Sequence, residues 1–133
     1  MYLLDTNICI YIINKRPVNI VNKLNSLKPN DVKLSSVSIA ELEYGIAKSM
    51  HKEQNRHALI GFSSAFDIIP FDDMDAQIYG EIRADLEKRG KIIGPYDLQI
   101  AAQAICRNLI LVTNNTKEFK RISGLKLENW SSA

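Results

Sequence analysis

Cysteine is scarce: the 133 residues hold only Cys9 and Cys106, each among aliphatic neighbours and neither at metal-ligand spacing from another Cys or His. That argues against a disulfide-built scaffold and a Cys/His zinc site, and leaves two buried free thiols as the expectation. The two histidines, His51 and His57, fall in a polar helical stretch and are expected at the surface. No segment approaches the roughly 18 apolar residues that a membrane span requires. The N-terminus carries no basic leader with an apolar core, so the expected location is the cytoplasm. With six glycines, four prolines, no repeat and no low-complexity tract, nothing marks a linker, and residues 1–133 read as one domain.

Charge of one sign is also lacking. The net +2 is too small for a protein that coats nucleic acid indiscriminately. The basic residues do gather in the second half, at Arg83, Lys88, Arg89, Lys91, Arg107, Lys117, Lys120, Arg121 and Lys126. Such a face suits phosphate, although an ordinary solvated surface explains it equally well.

The chain is organised around its first residues. Tyr2-Leu3-Leu4 is an apolar run that ends on Asp5, followed by Thr6, Asn7 and the apolar segment Ile8 to Ile13. A short buried strand feeding a helix is expected, with Thr6 or Asn7 as the cap. In an open α/β sheet, ligands sit at the carboxyl ends of the strands, which puts Asp5 where chemistry occurs. The structural alternative is that Asp5 itself caps the helix.

Further along, Pro17 suits the first turn of a helix carrying Val18, Val21, Leu24 and Leu27. Val32 to Val37 is a β-type run leading into a helix, where Ser38 and Glu41 have capping-box spacing. Glu53 to Phe66 reads as helix and Asp67 to Phe71 as strand. Asp72 or Asp73 then caps a long helix that Gly90 closes. Ile92 to Asp97 leads into an apolar helix from Leu98 to Cys106, and Asp97 falls in its first turn if Gly94 caps it and Pro95 is its first residue. Leu109 to Thr113 is a buried strand, Asn114 to Ile122 a turn with a short helix, and Leu125 to Trp130 an edge strand. This alternation predicts an α/β fold: a three-layer α/β/α arrangement with a central, mostly parallel sheet of four to five short strands.

Four polar positions recur in these settings: Asp5, Glu41, Asp97 and the cluster Asn114, Asn115 and Glu118. Each has a structural reading, as a cap or as a first-turn acid favoured by the helix dipole. Glu43 is the weaker candidate, since it lies about 200° round the helix from Glu41. Carboxylates crowded into one cleft repel, and such a cluster persists when a hard divalent cation neutralises it. Oxygen donors without His or paired Cys select Mg²⁺ or Mn²⁺ over Zn²⁺. Carboxylate-held Mg²⁺ beside basic surface points to phosphoryl chemistry.

The stretches LLDTNICIYI, SSVSIAELEYG, GKIIGPYDLQIAAQA and LILVTNNTKEFKRI resemble the PIN-domain ribonucleases, in particular the VapC-type toxins of bacterial toxin–antitoxin pairs. The resemblance runs nearly end to end and keeps the intervals between motifs. It implies that Asp5, Glu41 and Asp97 hold Mg²⁺ or Mn²⁺. At the fourth position, many PIN domains carry Asp two residues after the Thr of the last motif, whereas this chain has Asn115. Glu118, three residues on, offers a carboxylate instead; Asn115 can ligate through its carbonyl but brings no charge, so a second metal should bind more weakly, and one firm metal site is expected with the second left open. The resemblance assigns Thr113 of that last motif to orienting water or a ligand, and Asn7 of the first motif to supporting Asp5.

Two functions follow. The first is a metal-dependent endoribonuclease toxin acting on structured RNA, commonly tRNA cut in the anticodon loop. The resemblance adds a homodimer and a cognate antitoxin whose tail plugs the cleft, with DNA contacted only through that antitoxin. The alternative is a weakly active or inactive PIN-fold module that serves as the antitoxin's corepressor, which Asn115 in place of an acid favours. A phosphoaspartate phosphatase is excluded, because Thr-Asn-Ile after Asp5 lacks the second Asp that works as its acid and base.

Overall fold

Five short strands form one parallel sheet in the order β3-β2-β1-β4-β5. They are β1 (Tyr2–Leu4), β2 (Val32–Ser35), β3 (Asp67–Ile69), β4 (Ile110–Val112) and β5 (Leu127–Glu128). The computed structural model describes residues 1–131. Every strand pair is parallel, with Tyr2 level with Val32 on one side and with Ile110 on the other. Parallel strands need crossover connections, and the helices supply them. These helices are α1 (Thr6–Ile13), α2 (Val18–Asn25), α3 (Ser36–Ala47), α4 (Lys52–Ser63), α5 (Asp73–Lys88), α6 (Pro95–Cys106) and α7 (Thr116–Phe119).

Alternation along the strands builds two apolar layers. Leu3 and Leu111 face a cluster with Leu86 of α5, with Leu98, Ile100, Ala101 and Ala104 of α6, and with Phe119. Leu4, Leu34 and Val112 face the other, with Ile8 and Cys9 of α1, Ile20 of α2 and Trp130. Helices therefore cover both faces of the sheet, as the alternating pattern requires. β3 and β5 are the edges, and β5 is the short closing strand expected from Leu125 to Trp130.

The topology also fixes where a ligand belongs. From β1 the chain first builds outward to β2 and β3, then returns to place β4 and β5 on the other side. The β1/β4 boundary is a topological switch point, with a crevice beyond the strands' carboxyl ends. Asp5 follows β1 there, and Thr113 follows β4.

Local chemistry sets most of the helix boundaries. Asp72 caps α5 by accepting from Met74 and Asp75, and Asp75 returns the bond in a capping box. Gly90 adopts φ +65 just past the end of α5, a conformation easy only for glycine. Gly94 caps α6 with Pro95 at its first position. Other boundaries fall differently from the sequence reading. Pro17 occupies the N-cap position of α2, one residue earlier than expected, where its fixed φ is −68. Ser35 ends β2 and caps α3 by accepting from the Val37 N–H, so the strand stops short of Val37. Ser38 and Glu41 consequently lie inside α3 and make no capping box. Cys9 is buried as expected, but Cys106 is only half-buried.

Candidate active site

Asp5 is both the cap of α1 and a member of the cleft. Its Oδ1 accepts the Ile8 N–H at 2.9 Å, which displaces Thr6 and Asn7 from the capping role expected of them. The side chain is buried, and burial raises its pKa above the ordinary carboxylate value. The Thr113 hydroxyl and the backbone N–H groups of Ile8 and Asn7 work against that rise, and the nearby Glu41 adds to it. Thr113 is fully buried, and its hydroxyl accepts the Asn115 N–H at 3.0 Å; the Asp5 N–H donates to the Val112 carbonyl at 3.0 Å, which joins the ends of β1 and β4.

Thr6, freed from capping, does something the sequence reading missed. Its hydroxyl donates to Glu41 Oε1 at 2.7 Å and lies 2.9 Å from the Ser38 hydroxyl. Glu41 is thereby drawn from α3 toward α1. The available signal was the helical spacing of Ser38 and Glu41, which puts both on one face of α3. Glu43 projects elsewhere, to a 3.1 Å ion pair with Arg56 of α4.

Asp97 sits at the third position of α6, and its pKa is raised to about 6. Burial is the largest cause, followed by the negative charges of Glu118, Asp5 and Glu41. Three acids from three other segments therefore act on Asp97. Asn115 contributes no charge, but its Nδ2 donates to Glu118 Oε2 at 3.0 Å and orients the acid that acts on Asp97. Asn114 points away, to the Tyr11 hydroxyl at 2.9 Å.

Asp5, Thr6, Asn7, Glu41 and Asp97 line one cavity of about 610 Å³, which continues over Ile10, Ile13, Leu42, Ile46 and Leu59. No Lys or Arg is among the residues lining it. The basic residues of the second half are mostly occupied elsewhere. Arg83 pairs with Glu87, Arg89 with Asp85, and Arg107 with Asp72 and Asp75. Arg121 donates to the Ile92 carbonyl and Lys126 to Asn108. His51 and His57 are exposed, as expected.

The donor set suits a hard divalent cation, being oxygen-only, acidic and unneutralised by any basic side chain. Among the described residues, no three His, Cys, Asp or Glu side chains lie close enough to enclose an ion by themselves. A Mg²⁺ ion bound here would keep several of its waters and take one or two of the carboxylates directly.

Residues 2–125 match the PIN domain family. The chain belongs to it. Among the curated relatives, Ribonuclease VapC2 of Rickettsia felis is 53% identical over 98% of both chains. The tRNA(fMet)-specific endonuclease VapC of Shigella flexneri is 43% identical, again over 98% of each. The crystal structure of VapBC2 from Rickettsia felis bound to a DNA fragment from its promoter superposes with a TM-score of 0.91 at 52% identity, covering 97% of this chain and 98% of that one. Within the PIN domains, the chain is therefore of the VapC type, and the fold and family expected from its four motifs hold.

Proposed function

We propose that this chain is the toxin of a toxin–antitoxin pair, a Mg²⁺- or Mn²⁺-dependent endoribonuclease that cuts structured RNA. The reading is carried by one observation: Asp5, Glu41 and Asp97 line a single cleft at the switch point of a PIN-domain sheet, with no basic side chain among them. Asp5, Asp97 and Glu41 are the residues that would hold the cation. Such an ion lowers the pKa of water and stabilises charge on the phosphate under attack.

The chain's own groups prepare that site. The Ile8 N–H fixes the Asp5 carboxylate and the Thr113 hydroxyl favours its charged form, so little reorganisation is required when it is used. Thr6 holds Glu41 at the cleft wall, where a carboxylate can accept a proton from the attacking water. Glu118, steadied by Asn115, supplies the fourth carboxylate in place of the missing Asp, so a second ion would meet charge there despite the neutral Asn115. Asn7 lends its backbone N–H to Asp5 and leaves its side chain on the cleft.

tRNA is the first substrate to test, because the Shigella relative is named for tRNA(fMet). The apolar continuation of the cavity past Leu42, Ile46 and Leu59 suits an antitoxin tail with an apolar face and a basic side chain aimed at the acids. We also infer a homodimer, a cytoplasmic location, and contact with DNA only through the antitoxin; the promoter complex of the Rickettsia VapBC2 pair is in keeping with the last. Among the described residues no helix is long and apolar enough to cross a membrane.

The deciding experiment is cleavage of purified tRNA with Mg²⁺ by the full chain, compared with the Asp5→Asn variant and with EDTA. Loss of cutting in both supports the mechanism; equal cutting by the variant removes it. A corepressor with little catalysis is the second reading, favoured by Asn115 where an acid is usual. Calorimetric titration with Mn²⁺ separates the two, since a pure binding module has no need of the ion.

A further inference from the structure

Gln103 stands out in α6. It is fully buried, and the other buried residues of the helix, Leu98, Ile100, Ala101, Ala102 and Ala104, are all apolar. A buried amide costs stability unless both of its ends are bonded, and here both are. Its Oε1 accepts a short hydrogen bond from the Ser35 hydroxyl, and its Nε2 donates to the Ile69 carbonyl at 3.1 Å. Ser35 is the cap of α3 and accepts the Val37 N–H at 3.0 Å. One side chain thus joins α6 to the end of β3 and to the start of α3.

That tie has a consequence for the acids. Glu41 lies six residues into the chain beyond Ser35, and Asp97 six residues before Gln103. Each is therefore about 9 Å along its helix from the junction, at the usual rise per residue. Among the described residues, the Ser35–Gln103 bond is the only side-chain hydrogen bond joining α3 or its cap to α6. A hydrogen bond is restricted in length and angle, so this one adds a directional constraint to the apolar packing of α3 against α6.

We propose that Gln103 is a positioning residue: through Ser35 it sets the separation of Glu41 and Asp97, and hence the affinity of the cleft for a divalent cation. The proposal rests on the reading that these acids hold Mg²⁺ or Mn²⁺. Gln103 touches neither the ion nor RNA, and no feature of its position in sequence announces the role.

The test uses the full chain with Mn²⁺ as the probe, read by calorimetry alongside urea melts. Gln103→Met keeps the volume and removes both bonds, Ser35→Ala removes the partner hydroxyl, and Ser35→Thr retains one. Weakening of Mn²⁺ binding by about tenfold or more is expected for Gln103→Met and Ser35→Ala, the range for losing a group that supports a ligand. The double variant should weaken binding by less than the sum of the two singles, because the bond they share is lost only once. Ser35→Thr should restore the wild-type affinity. Ile20→Ala, in the core under α2, provides the control: it should lower stability and leave Mn²⁺ affinity unchanged. Wild-type affinity in folded Gln103→Met overturns the proposal, and so does strict additivity with Ser35→Ala. Should the wild type bind no Mn²⁺, the metal reading fails by itself. The crystal structure of Gln103→Met then decides: a shift of more than about 0.5 Å between the Glu41 and Asp97 carboxylates supports the positioning role, and an unchanged separation refutes it.

Discussion

Two buried aspartates frame this molecule. Asp75 is fully buried in α5, where it completes the capping box with Asp72 and meets Arg107 Nη2 at 3.0 Å. Asp5 is almost as buried, at 4% exposure, yet it faces Glu41 and Asp97 with no protein cation in its cleft. The first carboxylate is neutralised by its own chain and serves the fold. The second carries a raised pKa from burial and from Glu41, and no cation of its own chain lines the cleft to offset it. A buried charge is explained by what faces it, and depth alone does not tell the two cases apart.

The contrast can be broken experimentally. The largest effect is expected for Asp5→Asn, which should cut tRNA cleavage by more than about 100-fold, beyond the range for losing a merely supporting contact. Asp75→Asn should leave cleavage per folded molecule unchanged and cost roughly 3 kcal/mol in urea melts. That is the low end for breaking a buried ion pair, since Arg107 is partly exposed and keeps Asp72. If Asp75→Asn instead abolished cutting with stability intact, the division between the two acids would collapse.

Metal sharpens the same comparison. Mn²⁺ at a hundred times its Kd should stabilise the wild type by about 2.7 kcal/mol and Asp5→Asn by almost nothing, as thermal melts would register. In the metal-free chain, Asp97 holds a proton up to about pH 6, whereas the unfolded chain loses it near the ordinary value of 3.8. Between those values the native state binds more protons than the unfolded one, so stability falls as pH rises through this window. Asp97→Asn should flatten that part of the profile. Least of all, Glu43→Gln should change stability by at most about 0.5 kcal/mol and cleavage not at all, because its pair with Arg56 is solvent-exposed.

Much of this was legible along the chain. Apolar runs ending on polar residues located β1, β2 and β4, and turn chemistry placed Asp72, Gly90, Gly94 and Pro95 at the helix ends. The order of Asp5, Glu41 and Asp97 within four motifs identified the family. What failed were assignments in which two roles competed for one residue. Asp5 took the cap expected of Thr6 or Asn7, because the carboxylate at the strand end already faces the free N–H of Ile8. Glu41 lost its capping box once Ser35 began α3 three residues earlier. The clustering of basic residues was visible in sequence, as was the i,i+4 spacing of Arg83 with Glu87 and of Asp85 with Arg89, but not that Arg107 is engaged by Asp72 and Asp75 across the fold.

Sequence by itself determined the alternation of strand and helix, and with it the parallel sheet, since period and turn chemistry are local properties. Only the tertiary structure decided which acids share a cleft, that Thr6 holds Glu41, and that Gln103 joins two helices through a buried serine. Those contacts span 35 and 68 residues for the two hydrogen bonds. Burial and electrostatic coupling depend on what lies across space, and no window along the chain contains that neighbour.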